Sequence, residues 1–212
     1  MSKPPPKTSA KASTKPAAPP ALKWLLLASA LALGGLAAGL GALFLTPPAG
    51  TNQQAVAIGG PFRLESGGGR VVTDADLRGA PFLVFFGYAH CPDVCPTTTF
   101  QISEVLRALG PDAKVHALFI TVDPERDTPA IMQDYVSSFD NRLIGLSGDR
   151  AAIDQVLREY RVYARKAPGE GGAYAMDHSA VIYLMDRDGR FVRAFNLERP
   201  PEEAAAELRK LL

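Results

Sequence analysis

The feature that most constrains the fold is a regular alternation of strand-like and helix-like apolar patterns, which begins near Phe62. "PFLVFFGY" is a continuous apolar run, as expected of a strand buried on both faces. "TTTFQISEVLRAL" follows it with apolar residues at helical spacing. The alternation continues through "KVHALFITV", "PAIMQDYVSSF", "LIGLSG" and "RAAIDQVLREY". This pattern predicts the order β-α-β-α-β-α-β-β-α and a largely parallel sheet that helices cover on both faces.

Turn signals predict a hairpin at each end of this region. "LESGGGRVV" predicts an N-terminal hairpin, and "DRDG" between "SAVIYLM" and "RFVRAF" predicts an antiparallel pair near the end of the sheet. "PPEEAAAELRKLL" then predicts a last helix, with prolines and acids at its start. Asp127 and Thr128 are well placed to cap the helix that begins at Pro129.

The N-terminal part of the chain is not expected to belong to this domain. Residues 1–22, rich in proline and lysine, predict a disordered cytoplasmic tail. Residues 23–46 predict a transmembrane anchor helix, because an uncharged run of this length, at about 1.5 Å per residue, spans a bilayer core of about 30 Å. A cleaved signal peptide is the alternative, but the apolar run is longer than is usual for one. Residues 47–61 then form a linker, and residues 62–212 form the folded domain.

The charge distribution indicates how the chain is oriented in the membrane and argues against a nucleic-acid partner. Residues 1–64 contain six basic and no acidic residues, so this end is expected to stay in the cytoplasm and the domain to be exported. We therefore expect a single-pass protein of the bacterial inner membrane, with its C-terminal domain in the periplasm. Residues 65–212 contain 17 basic and 22 acidic residues, a net charge of −5. A nucleic-acid partner is not expected for such a domain.

The chain has two cysteines, Cys91 and Cys95, between the "PFLVFFGY" strand and the first helix. A structural disulfide would close a very short loop, which removes little entropy from the unfolded chain. A redox dithiol is a second interpretation, since a helix N-terminus favours thiolate. A site for a soft metal ion is the third. The spacing alone does not choose among them.

A metal site would need a further ligand, and the chain has three histidines. His90 precedes Cys91 and is expected to point away from it, while His116 lies inside a predicted strand and is expected to pack in the core. His178, in "YAMDHSAVIYL", precedes the penultimate strand and can lie beside the cysteine loop. Two thiolates and a neutral imidazole form a donor set suited to copper.

Three motifs, "CPDVCP", "TVDPERDTP" and "YAMDHSAVIYLMDRDG", closely resemble the Sco/SenC family in their order and spacing. The resemblance runs from about Phe62 to Leu212. It implies a membrane-tethered, thioredoxin-like copper protein that helps to assemble the binuclear copper site of cytochrome c oxidase. It also implies a central mixed sheet flanked by helices, with an N-terminal β-hairpin, and Cys91, Cys95 and His178 as ligands of Cu(I), Cu(II) or both.

The function implied by this resemblance is that of a metallochaperone, which is not an enzyme. Its partners would be cytochrome c oxidase subunit II and an upstream periplasmic copper donor. The alternative is a thiol-disulfide reductase with Cys91 and Cys95 as its redox pair, which would keep the cysteines of the target reduced. A copper or redox sensor and a peroxiredoxin-like peroxidase fit the motifs less well.

Details of the motifs favour metal binding over general disulfide exchange. A thioredoxin-type oxidoreductase has two residues between its cysteines and a cis-proline opposite them. This chain has three residues between its cysteines, and Asp177-His178 stands where that proline is expected. Asp177, beside His178, and Asp123, at the end of a predicted strand, are candidates for groups that orient the metal ligands.

Overall fold

The structure, a computed structural model, describes residues 57–169 and 173–212, together with residues 28, 29 and 31, which are helical. The chain divides into two units, residues 1–53 and 54–212. Among the described residues no helix is long and apolar enough to span a membrane. The predicted tail, most of the predicted anchor and most of the predicted linker lie outside those residues.

The second unit contains nine strands and four α-helices within its described residues. The strands are β1 (Arg63–Ser66), β2 (Arg70–Thr73), β3 (Phe82–Gly87), β4 (His116–Thr121), β5 (Leu143–Leu146), β6 (Ala164–Pro168), β7 (Tyr174–His178), β8 (Ile182–Met185) and β9 (Phe191–Ala194). The helices are α1 (Val94–Leu109), α2 (Pro129–Ser137), α3 (Arg150–Glu159) and α4 (Pro201–Arg209).

A five-stranded mixed sheet in the order β5-β4-β3-β8-β9 forms the centre of this unit. β3 pairs in parallel with β4, and β4 with β5, whereas β8 is antiparallel to both β3 and β9. All six residues of β3 are buried, because a strand in the middle of a covered sheet exposes neither face. The sequence prediction of a mixed sheet between helices is confirmed.

The N-terminal hairpin is also confirmed. β1 and β2 pair antiparallel, and reciprocal backbone hydrogen bonds of 2.7 and 2.9 Å between Glu65 and Ser147 join β1 to the chain just after β5. Helix α2 begins as predicted, with Pro129 in the first turn and the Thr128 hydroxyl accepting the N–H of Ile131 at 3.3 Å. Capping by Asp127 is not observed, because its carboxylate is used elsewhere.

One element was not predicted: β6 and β7 form a separate antiparallel hairpin, with Ala164 opposite His178. Most of its side chains are exposed or half-buried, so neither strand shows the apolar alternation that signals a strand. Pro168 further weakens the strand signal of β6. His178 therefore ends a strand of its own rather than leading directly into β8.

Candidate metal centre

The two cysteines lie where β3 gives way to α1. Cys95, the second residue of α1, is completely buried in the core, whereas Cys91 lies in the preceding loop and is half-buried. The backbone N–H of Cys91 donates to the Tyr88 carbonyl at 3.2 Å, and the N–H of Cys95 donates to Cys91 Sγ at 3.4 Å. The Cys91 sulfur therefore accepts one of the free N–H groups at the start of α1. Both thiols are free.

The surroundings of the two thiols shift their pKa values in opposite directions. Burial by itself would raise the pKa of Cys91, but the backbone N–H groups of Asp93, Cys95 and Val94 outweigh it and lower that pKa. Burial strongly raises the pKa of Cys95. The half-buried thiol is thus the more acidic one, and the buried thiol keeps its proton until a metal or an oxidant displaces it.

His178 lies beside Cys95, although the two residues are 83 positions apart in the sequence. Its Nε2 lies 3.9 Å from Cys95 Sγ, and its Nδ1 lies 3.0 Å from the carbonyl oxygen of Ser179. Because a carbonyl can only accept, Nδ1 carries the hydrogen and Nε2 presents its lone pair towards the sulfur. The ring also meets the Tyr88 ring edge to face, with centroids 5.9 Å apart.

The Cys95–His178 pair fits a metal ion. Metal–sulfur and metal–nitrogen bonds of about 2.3 and 2.0 Å, at an angle of about 110–120°, place the two donors about 3.5–3.7 Å apart. The observed 3.9 Å is close to that separation. Within the described residues, no three His, Cys, Asp or Glu side chains already form a complete cluster.

Cys91 and His178 both line a surface pocket of about 300 Å³. Its walls come from the cysteine loop with the start of α1 on one side and from the end of β7 on the other: Tyr88, Cys91, Pro92, Asp93, Val94, Met176, Asp177, His178 and Ala180. A second pocket of about 620 Å³, beside Phe82 and Tyr160, is lined by neither cysteine. The smaller pocket gives the site one open face.

Asp127 does not cap α2 as the sequence analysis expected. Its carboxylate is completely buried and accepts from the Ala89 N–H at 2.9 Å and from the Thr121 hydroxyl at 2.7 Å. His90 Nδ1 lies 3.3 Å from its other oxygen. Asp127 therefore fixes the loop that carries Cys91 rather than capping α2. The two aspartates of "DPERD" could have drawn attention to this loop, but the sequence does not show which groups each carboxylate contacts.

The two aspartates predicted to orient the metal ligands have other partners. Asp123 is buried and accepts from Arg126 Nε and, at 2.9 Å, from the Tyr174 hydroxyl. Asp177 is paired at 3.0 Å with Arg165 on β6. Among the described contacts, neither carboxylate is hydrogen-bonded to a cysteine or to His178. Asp177 lines the pocket beside His178, whereas Asp123 holds the start of β7 through Tyr174.

The other two histidines lie apart from the pair. His90 is directed at Asp127, as described above. His116 begins β4 and is half-buried, and burial together with the charge of Arg70 lowers its pKa. Of the three imidazoles, only that of His178 contacts a cysteine sulfur in the described residues.

The fold and the donor set together define a class: a thioredoxin-like α/β domain with three residues between its two cysteines and a histidine at a strand end. Comparison with known proteins agrees with this class. A family model described as SCO1/SenC matches residues 50–212. The mitochondrial SCO2 homologue of Bos taurus is 41% identical over 202 residues, which cover 90% of this chain and 76% of the bovine protein.

Two solved structures are also similar. The structure of Bradyrhizobium japonicum ScoI with copper bound has a TM-score of 0.71 and 66% identity, and the match covers 74% of this chain and all of that one. Yeast Sco1 with copper bound has a TM-score of 0.66 and 34% identity, covering 73% of this chain and 87% of the yeast chain. The chain belongs to the SCO1/SenC family.

Proposed function

We propose that this protein is a copper metallochaperone that delivers copper to, or helps to mature, the binuclear copper site of cytochrome c oxidase subunit II. The observation that carries the proposal is the contact between Cys95 Sγ and His178 Nε2, with Cys91 and His178 lining the same open pocket. The copper bound in two structures of family members supports it.

The arrangement suits a metal that is taken up and passed on. Two thiolates and an imidazole bind Cu(I) well, and the open face leaves room for a partner's ligands to replace them one at a time. Binding Cu(I) through both sulfurs displaces the thiol proton that the raised pKa of Cys95 retains, so acidification weakens binding. No substrate bond is made or broken, and we therefore propose a carrier rather than an enzyme.

The location we propose follows from the N-terminal sequence. Residues 23–46 would anchor the chain in the bacterial inner membrane, with the copper-binding domain in the periplasm. There the domain would receive Cu(I), Cu(II) or both from an upstream donor and meet subunit II at the membrane surface.

The test compares the reduced full-length chain with its His178→Ala variant in copper titrations. The wild type is expected to bind one copper per chain and to show a thiolate-to-Cu(II) absorption band and a matching EPR signal. His178→Ala is expected to lose this band or weaken it greatly. His116→Ala, which removes an imidazole far from the cysteine loop, should bind as the wild type does. Equal binding by His178→Ala and wild type would exclude the three-ligand site.

A second function is favoured by the asymmetry of the two thiols. A half-buried cysteine of lowered pKa beside a buried, protonated one suits a reductase, in which Cys91 would attack a disulfide and Cys95 would then release the product. Such exchange does not need an imidazole. A His178→Ala variant that still reduces a disulfide peptide but no longer binds copper would show that the two functions are separable.

A further inference from the structure

The hairpin that carries His178 is weakly attached to the rest of the domain. In the described residues, β6 and β7 pair with each other and not with the central sheet. Met176 is buried, but the other side chains of the hairpin are exposed or half-buried. Nevertheless, His178 Nε2 is held 3.9 Å from a sulfur that belongs to α1. Contacts other than strand pairing must set this position.

The loop between β4 and α2 supplies such contacts through Arg126. Its Nε donates to the buried Asp123, and its Nη1 donates to the backbone carbonyl of Tyr174, the first residue of β7, at 3.0 Å. The Tyr174 hydroxyl donates to the other oxygen of Asp123 at 2.9 Å. Arg126, Tyr174 and Asp123 therefore form a closed ring of hydrogen bonds between the loop and the hairpin.

The same guanidinium lies between two aromatic rings. Its central carbon is 3.8 Å from the centroid of the Tyr174 ring and 5.7 Å from that of Tyr88. Arg126 Nη2 is buried without a hydrogen-bond partner, which leaves these aromatic faces to compensate its burial. Tyr88 in turn contacts the His178 ring. Arg126 thus contacts both the start of β7 and the ring that packs against the ligand at its end.

We propose that Arg126 is a positioning residue for copper binding: by fixing Tyr174 and Tyr88, it sets the separation between His178 Nε2 and Cys95 Sγ. It does not touch the metal itself. The inference rests on the proposed copper function. Lys166, which lies 4.5 Å from the Tyr174 ring and 3.3 Å from Glu125, adds an exposed contact to the same ring, and exposed ion pairs contribute little.

The experiment compares the full-length chain with Arg126→Ala and with Arg190→Ala. Arg190→Ala removes the same charge from a side chain that is 75% exposed in the β8–β9 turn. Cu(I) affinity is measured by competition with a chromophoric chelator, and the Cu(II) form is examined by EPR. Backbone hydrogen exchange of the apoprotein is measured separately for residues 174–178 and for β3 and β4.

For Arg126→Ala we expect Cu(I) affinity to fall about 10- to 100-fold, the range found when a group that orients a metal ligand is removed. The EPR signal should change, and exchange in residues 174–178 should accelerate while exchange in β3 and β4 does not. Arg190→Ala should match the wild type in every measurement.

Two gentler variants keep the proposal testable if Arg126→Ala does not fold. Tyr174→Phe keeps the ring but loses the bond to Asp123, and Arg126→Lys keeps the charge but lacks the planar fork that bridges Asp123 and the Tyr174 carbonyl. Both should weaken copper binding, though less than Arg126→Ala, and both should accelerate exchange in residues 174–178.

The outcomes separate this inference from the function on which it rests. If the wild type binds no copper, the proposed function itself fails. If the wild type binds copper and a folded Arg126→Ala variant keeps its affinity, its EPR signal and its exchange pattern, the positioning role is wrong. Full recovery by Arg126→Lys, or equally faster exchange throughout the sheet, would also overturn it.

Discussion

The copper-binding candidates come from two regions of very different construction. The cysteines follow β3: Cys95, in the first turn of α1, is completely buried, and Cys91, in the preceding loop, is half-buried. β3 itself lies in the most buried part of the domain, where the Phe86 ring packs against those of Tyr160 and Tyr183 with centroids 5.3 and 5.9 Å away. His178 comes from the largely exposed β6–β7 hairpin. One half of the site is held by the apolar core, whereas the other is held mainly by polar and aromatic contacts.

This difference predicts unequal local stability. Opening the region around β3 requires unfolding of the core, whereas opening the hairpin breaks few apolar contacts and therefore needs less free energy. A metal site built across such a boundary keeps Cys95 fixed in the core and lets His178 withdraw. That property suits a carrier, because release can begin at His178 without disturbing the fold. The following experiments test the contrast, starting with the largest expected effect.

The core half should be the most sensitive to truncation. Phe86→Ala removes a completely buried ring, and the resulting cavity should lower the free energy of unfolding by about 3–5 kcal/mol. Urea denaturation followed by circular dichroism measures this. Phe100→Ala removes the same side chain from a position 53% exposed on α1, and should change the free energy by about 0.5 kcal/mol or less. Similar losses in the two variants would contradict the contrast.

The polar support of the cysteine loop should come next. Asp127→Ala leaves the Ala89 N–H and the Thr121 hydroxyl without their acceptor, which should lower the free energy of unfolding by about 2–3 kcal/mol. Asp177→Ala, which breaks an exposed ion pair on the hairpin, should lower it by less than about 1 kcal/mol. The same urea titrations apply, and an Asp127→Ala variant as stable as Asp177→Ala would show that the buried carboxylate does not hold the loop.

The smallest effect that we expect is a shift in the pH dependence of the alkylation rate of one thiol, that of Cys91. A lowered pKa means more thiolate at a given pH, so alkylation of Cys91 by iodoacetamide should reach its half-maximal rate at a lower pH than alkylation of an unperturbed thiol. Cys95, buried and of raised pKa, should react only when the domain opens. Peptide mass spectrometry of the reduced apoprotein, with free cysteine in the same buffer as a control, measures both rates. Equal rates at the two cysteines would show that they do not differ in environment.

Much of the fold could be predicted because its strongest signals are local. The continuous apolar run at β3 and the helical spacing in α1 and α3 repeat with regular periods, and Thr128 with Pro129 marks the start of α2. The β6–β7 hairpin escaped prediction because its side chains face water on most sides, so no period separates it from a loop. Its existence depends on partners far away in the sequence.

The residues of the site, like the elements of the fold, could be predicted only in part. Cys91, Cys95 and His178 were singled out because their side chains carry the chemistry, and the structure brings Cys95 and His178 into contact. Arg126 and Tyr174 were not singled out, since a common arginine and a tyrosine outside any apolar period carry no signal of their own. Their role depends on the direction of each side chain, which the sequence does not give.

By itself, the sequence determined the order of the elements outside the β6–β7 hairpin, the buried central strands and the residue types able to bind a soft metal, because each of these depends on neighbours within a few residues. The tertiary structure alone decided that His178 meets Cys95 across 83 positions of sequence, that Asp127 turns towards the cysteine loop, and that Arg126 lies between two tyrosine rings. These contacts depend on where separate segments lie after folding, which is set by the packing of the whole domain rather than by any local pattern.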